Sequence, residues 1–155
     1  MPVDRCKIVR ICTSSESETE ELGRKLGLQI DSGLCISLVG SLGTGKTVFA
    51  RGLCRGLGVE ESVVSPTFIL YEEFQGRLPV VHLDLYRLEH EREIKELGVF
   101  EKLAEDCVVI SEWGDRSEMI FGASDLVVSL TLRSAVERDI EFHCTQPAAE
   151  YLNKI

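Results

Sequence analysis

The segment Gly40-Ser41-Leu42-Gly43-Thr44-Gly45-Lys46-Thr47 constrains this chain more than any other feature. It fits Gly-x-x-x-x-Gly-Lys-[Ser/Thr] at every position, the pattern of a phosphate-binding loop. The three glycines allow backbone conformations closed to residues with a Cβ, so that successive N–H groups can face an anion. A helix opening near Lys46 adds the positive end of its dipole. Lys46 is expected to reach the β and γ phosphates of a nucleotide, and the Thr47 hydroxyl can ligate Mg²⁺. The surroundings suit the mechanism. The apolar run Leu34-Cys35-Ile36-Ser37-Leu38-Val39 predicts a strand before the loop, and Val48, Phe49, Leu53 and Leu57 predict an amphipathic helix after it, ending at Gly58.

A loop of this kind needs a carboxylate at the end of a neighbouring strand, within reach of the metal or its water. Two candidates stand downstream: Asp84 after Val80-Val81-His82-Leu83, and Glu112 after Val108-Val109-Ile110-Ser111. Ligands of open α/β sheets collect at the carboxyl ends of strands, so both acids can face the loop. An acid after a strand is ordinarily a turn residue; two of them downstream of a complete loop reverse that expectation.

The remaining chain reads as strands and helices in alternation. Residues 7–13 alternate as a strand, and 14–20 offer N-caps to a helix carrying Leu22, Leu26 and Ile30. Residues 68–74 and 78–83 predict a hairpin around Gln75-Gly76-Arg77. A charged helix is expected over 89–103, running through Gly98, with most charges on a solvated face. The compact run 107–111 suits a central parallel strand, and 126–132 with 140–144 a closing hairpin. The expected class is α/β: a P-loop NTPase-like three-layer fold, its central sheet mainly parallel, covered on both faces, with antiparallel hairpin additions. No linker or repeat interrupts it, so 1–155 is expected to form one P-loop ATPase domain.

Composition narrows the function. Lys plus Arg is 17 against 26 Asp plus Glu, a formal charge of −9, which argues against a general grip on nucleic acid. Six cysteines form no Cys-x-x-Cys pair and no zinc-spaced cluster, so free thiols in a reducing cytoplasm are expected. No apolar run approaches a bilayer span, and no membrane contact is foreseen. The only Asn is Asn153, so an Asn-Lys-x-Asp guanine-reading motif is missing. Arg51 and Arg55 lie one turn apart on the loop helix, solvated or forming a local basic patch. Three chemistries stay open: hydrolysis, small-molecule phosphorylation, and nucleotide sensing without hydrolysis.

Four motifs in order, Gly40 to Thr47, Ser65-Pro66-Thr67-Phe68, His82-Leu83-Asp84-Leu85-Tyr86-Arg87 and Glu112-Trp113, resemble the bacterial TsaE (formerly YjeE) family. The resemblance implies a Mg²⁺-dependent ATPase needed for threonylcarbamoylation of adenosine 37 in tRNA. It implies action through the TsaD and TsaB proteins, so that tRNA is met only indirectly. It further implies that Leu42 to Thr47 hold ATP, that Thr47 and Glu112 hold Mg²⁺, and that Asp84 supports the metal or the attacking water. Thr67 would sense the γ-phosphate, and Glu16, among the residues just before the first helix, would lie near the base, with Arg138 a weaker candidate. Each has a plain rival: Ser65-Pro66 as a turn before a strand, Trp113 as a core aromatic, His82 as a packed strand residue. Tyr86 and Arg87 face either phosphate or a partner protein. The chain departs from the family pattern at Ser41, commonly Asp, and at Val48, often Thr; neither change removes a phosphate or metal contact.

Overall fold

A computed structural model describes residues 4–5, 7–63 and 71–155. Strand β1 (Lys7–Thr13) leads into helix α1 (Glu16–Gln29), whose N-cap Ser15 accepts a hydrogen bond from the Glu18 amide. Strand β2 (Leu34–Val39), the phosphate-loop sequence and helix α2 (Lys46–Gly56) follow. Next come the hairpin β3 (Tyr71–Gln75) and β4 (Pro79–Asp84), two short helices α3 (Arg92–Leu97) and α4 (Val99–Ala104), and strand β5 (Val108–Glu112). A 3-10 turn at Gly114–Arg116 and helix α5 (Glu118–Ala123) precede the hairpin β6 (Leu126–Leu132) and β7 (Arg138–Cys144). Helix α6 (Gln146–Ala149) and a 3-10 turn close the chain.

The strands form one seven-stranded sheet in the order β1-β7-β6-β2-β5-β4-β3. Its centre is parallel: β2 pairs with both β5 and β6, and β5 with β4. The antiparallel pairs lie outside it, β3 on β4, and β7 between β6 and β1. This is the expected class, a three-layer α/β fold with hairpin additions.

Burial explains the layering. Strand β5 is buried along its whole length, as its apolar run requires between two helical layers. On one face Leu22, Leu26, Phe49 and Leu53 of α1 and α2 pack over Ile36, Leu38, Val108, Ile110, Val128 and Phe142. On the other, Ile94, Val99 and Ile120 of α3 to α5 cover Cys35, Val81, Leu83 and Val109.

Two expectations need correction. The helix foreseen over 89–103 is two helices, because Gly98 at φ 72° caps α3 with a left-handed turn that an unbroken helix excludes. Coverage of the second face is also partial. At the β1, β7 and β6 end it carries Ile8, 45% exposed, and the ion pair Arg10–Glu141. The hairpin expected over 68–83 is present from Tyr71 onward; residues 68–70 lie outside the described part. Arg51 and Arg55 are not free cations: both pair with Glu20 on α1. The described cysteines, 12, 35, 54, 107 and 144, are free thiols. No helix among the described residues is long and apolar enough to cross a membrane.

Candidate functional site

The site lies at the carboxyl ends of β2, β4 and β5, where the sheet hands the chain to loops. Strand β2 ends at Val39, and the next residues turn through Gly40, Gly43 and Gly45 at φ 147°, 78° and 101°. These values are available to glycine and strained for other residues. Thr44 is buried, and its hydroxyl donates to the Ser41 carbonyl at 2.9 Å, bracing the loop from behind. Helix α2 then begins at Lys46 with Gly45 as N-cap, so its first amides open toward the cleft.

A cleft of about 390 Å³ sits over this helix end, and Glu16, Leu42, Gly43, Gly45, Lys46 and Thr47 line one side of it. Asp84, Tyr86, Glu112, Trp113 and Arg138 are also in its wall. Gly40, Ser41 and Thr44 shape the loop without lining the cleft. Thr67, with Ser65 and Pro66, lies outside the described residues.

The phosphate end is organised by two side chains of α2. Lys46 is only 5% exposed; its Nζ donates to the carbonyls of Gly40 at 2.7 Å and Ser41 at 2.8 Å. The same ammonium lies 4.0 Å from the centroid of the Trp113 ring. Burial pushes the Lys46 pKa below the ordinary lysine value, against the opposing charges of Glu112, Asp115 and Asp84. Thr47 Oγ1 donates to Glu112 Oε1 at 2.6 Å, joining α2 to the end of β5. The other oxygen of Glu112 meets His82 Nε2 at 2.6 Å.

Both sequence-predicted acids are at this end. Asp84 and Glu112 are direct partners in the β4–β5 register, and Asp84 Oδ1 accepts from the Tyr86 amide at 3.0 Å. The donor set suits a hard cation, which takes oxygen ligands. No group of three or more His, Cys, Asp and Glu placed to hold a metal exists among the described residues. Thr47 Oγ1 and the Glu112 carboxylate are the side-chain oxygens that could hold a Mg²⁺ ion at this end.

Trp113 is a wall of the cleft, held in a left-handed conformation at φ 59° by its amide's bond to the Leu38 carbonyl at 2.9 Å. Tyr86, 41% exposed, packs on it with ring centroids 4.9 Å apart, and Arg116 covers the Tyr86 ring at 5.2 Å. Arg87 is exposed. Arg138 is a much stronger element of the site than its sequence position suggested. Only 7% exposed, it donates from Nε to the Thr44 carbonyl at 2.9 Å. Sequence reasoning missed the His82–Glu112 bond. The signal was available: His82 stands two residues before Asp84, so strand alternation puts both on the face where Glu112 ends the next strand.

The fold and this loop geometry define the class: a P-loop NTPase-like α/β protein. The solved structure of Bacillus subtilis YdiB superposes with a TM-score of 0.79 at 26% identity, covering 94% of this chain and 92% of that one. The family profile described as "Threonylcarbamoyl adenosine biosynthesis protein TsaE" matches residues 13–140. The chain belongs to the TsaE family. Among its relatives are proteins named tRNA threonylcarbamoyladenosine biosynthesis protein TsaE. The one from Treponema pallidum is 33% identical over 132 residues, spanning 85% of this chain and 98% of its own. The one from Nostoc is 36% identical over 94% of this chain and 95% of its own. That from Bacillus subtilis is 34% identical over 84% and 82%.

Proposed function

We propose that the protein is a Mg²⁺-dependent ATPase of the cytoplasm that serves threonylcarbamoyladenosine formation in tRNA, acting through TsaD and TsaB. The bond between Thr47 Oγ1 and Glu112 Oε1 carries this reading, because it brings the loop hydroxyl and a strand-end carboxylate together beside the positive end of α2. The relatives' shared role in tRNA modification supplies the setting. The −9 charge favours reaching tRNA through partner proteins instead of direct binding.

The residues divide the work. The loop amides and Lys46 hold the phosphates, Lys46 exchanging its bonds to Gly40 and Ser41 for phosphate oxygens. Burial of Lys46 and the Trp113 ring beside it keep water away from that cation, which strengthens its pull on the phosphates. When bound, Mg²⁺ supplies charge neutralisation of the phosphate oxygens. Asp84 orients the attacking water and takes its proton, and Glu16 and Arg138 face the nucleoside end. Among the described residues Lys46 and Arg138 are the basic side chains that line the cleft, and the Nε of Arg138 is taken by the Thr44 carbonyl. Turnover alone is therefore slow, and partner binding raises it.

The test is phosphate release from ATP at saturating Mg²⁺, for wild type and Lys46→Ala, with and without a purified TsaD–TsaB pair. Release that needs Lys46 and rises with the pair is the expected result. Release that ignores the pair would leave a P-loop hydrolase without this setting, and no release in any mixture would sink the ATPase reading.

A further inference from the structure

His82 has no ordinary reason to be where it is. It is fully buried in β4, two residues before Asp84, and does not line the cleft. Its Nε2 meets Glu112 Oε2 at 2.6 Å, while Glu112 Oε1 accepts from Thr47 at 2.6 Å. Three elements, α2, β5 and β4, are thus joined by one carboxylate with both oxygens engaged. The opposite ring atom, His82 Nδ1, is buried and has no hydrogen-bond partner among the described residues. A proton on Nδ1 would be a buried donor with no acceptor, which costs more than an unused acceptor lone pair. The proton therefore belongs on Nε2, where it is donated to Glu112.

We infer that His82 is a positioning residue: its Nε2–H fixes the Glu112 carboxylate so that Oε1 points at the Thr47 hydroxyl and the cation both would share. This inference rests on the Mg²⁺-nucleotide reading of the cleft. A carboxylate with one oxygen anchored has lost most of its torsional freedom before any ligand arrives, so less ordering is left to the binding step. Outer partners of this kind typically change metal affinity by roughly 10- to 100-fold when removed. His82 touches neither the loop nor the cleft, so phosphate affinity without metal is not its business.

The test compares wild type, His82→Gln and His82→Leu. Leu fills much of the space without a donor; Gln returns an N–H near the position of Nε2. The dissociation constant of a non-hydrolysable ATP analogue is measured with Mg²⁺ and with EDTA, followed by the fluorescence of Trp113, the single tryptophan. Expected is equal binding by all three in EDTA, with His82→Leu weakened roughly 10- to 100-fold in Mg²⁺ and His82→Gln restored most of the way. Unchanged binding of His82→Leu in Mg²⁺ would overturn the inference, and so would equal weakening in Mg²⁺ and EDTA, which is what a merely packed residue gives. Long-range proton–nitrogen spectra of ligand-free wild type provide a second reading that needs no nucleotide. They are expected to show His82 protonated on Nε2, with that signal moved by Glu112→Gln; a proton on Nδ1 overturns the assignment, even if the Leu variant does not fold. Wild type that binds the analogue equally with and without Mg²⁺ would instead sink the metal reading of the cleft, and the spectra would then decide the His82–Glu112 bond by themselves.

Discussion

Arg138 shows how much one buried charge can organise. Its guanidinium donates to two backbone carbonyls, Thr44 at 2.9 Å and Val136 at 3.1 Å, and among the described residues no carboxylate lies in ion-pair range. Desolvating a cation without an anion is costly, and the two carbonyl bonds offset part of that cost while leaving the guanidinium further donors for a ligand in the cleft. Arg138→Ala leaves the Thr44 carbonyl buried without its donor and frees the loop. The expected outcome is a stability loss of about 1 to 3 kcal/mol in chemical denaturation. Titration calorimetry should show ATP affinity falling with it, by about tenfold for a lost charge-assisted bond of about 1.4 kcal/mol. Arg138→Lys keeps the charge but not the rigid fork, so it should recover less than half of that loss. An alanine variant that binds ATP as wild type does would show that the guanidinium serves the hairpin alone. This residue was barely legible in the sequence. It opens β7, and β7 reaches the loop only because β6 lies beside β2, a pairing between distant segments that no local pattern announces.

At the scale of elements, the phosphate loop depends on how α1 meets α2. Gly23 and Gly27 on α1 face Gly52 and Gly56 on α2, spaced so that the backbones touch. A Cβ on Gly23 would stand 2.5 Å from the Phe49 carbonyl oxygen, and one on Gly52 would overlap the Glu20 carbonyl. Around this seam, Glu20 of α1 pairs with Arg51 and Arg55 of α2. Since α1 begins with Glu16 and α2 with Lys46, the seam sets the width of the cleft between them. Gly52→Ala must push the helices apart. Overpacking of this kind costs about 1 to 3 kcal/mol, read as a lower urea midpoint, and ATP affinity should fall because Glu16 moves off the loop. Unchanged affinity in a destabilised variant would separate the seam from the site. Legibility at this scale followed locality. Strand β2 falls at 34–39 as its apolar run predicts, and the acids Asp84 and Glu112 end their strands as foreseen. The break at Gly98 was not legible because Ile94, Leu97 and Leu103 read as apolar anchors of one charged helix, and one left-handed residue decided otherwise. Helix α5 escaped notice because six residues hold too few apolar positions to show a period; Ser117 and the carboxylate of Glu91 cap it from outside.

For the whole molecule, the parallel centre flanked by antiparallel strands puts two buried thiols, Cys35 and Cys54, in different layers. Cys35 lies in the cluster under α3 to α5 and Cys54 in the cluster under α1 and α2, each at most 1% exposed. Burial pushes both thiols from an ordinary 9.0 up to about 12, Cys35 moderated by a hydrogen bond with Ser124 and Cys54 pushed further by Glu112. The folded protein thus keeps protons that the unfolded chain loses between about pH 9 and pH 12. Stability falls with rising pH wherever the native state binds more protons, so the contribution of these thiols is whole below pH 9 and drains away across that window. Each thiol should add about 1.4 kcal/mol of loss per pH unit there. Guanidinium unfolding followed between pH 8 and pH 10.5 should show this steepening, and a Cys35→Ala, Cys54→Ala double variant should flatten it. Alkylation at pH 8 gives an independent check. Exposed Cys12 should react in the folded protein, whereas Cys35, Cys54, Cys107 and Cys144 should react only after unfolding. Labelling of Cys54 at the wild-type rate of Cys12 would mean that the α1–α2 layer opens as a unit far below the global unfolding free energy. In that case the cleft those helices frame would be mobile before any nucleotide arrives.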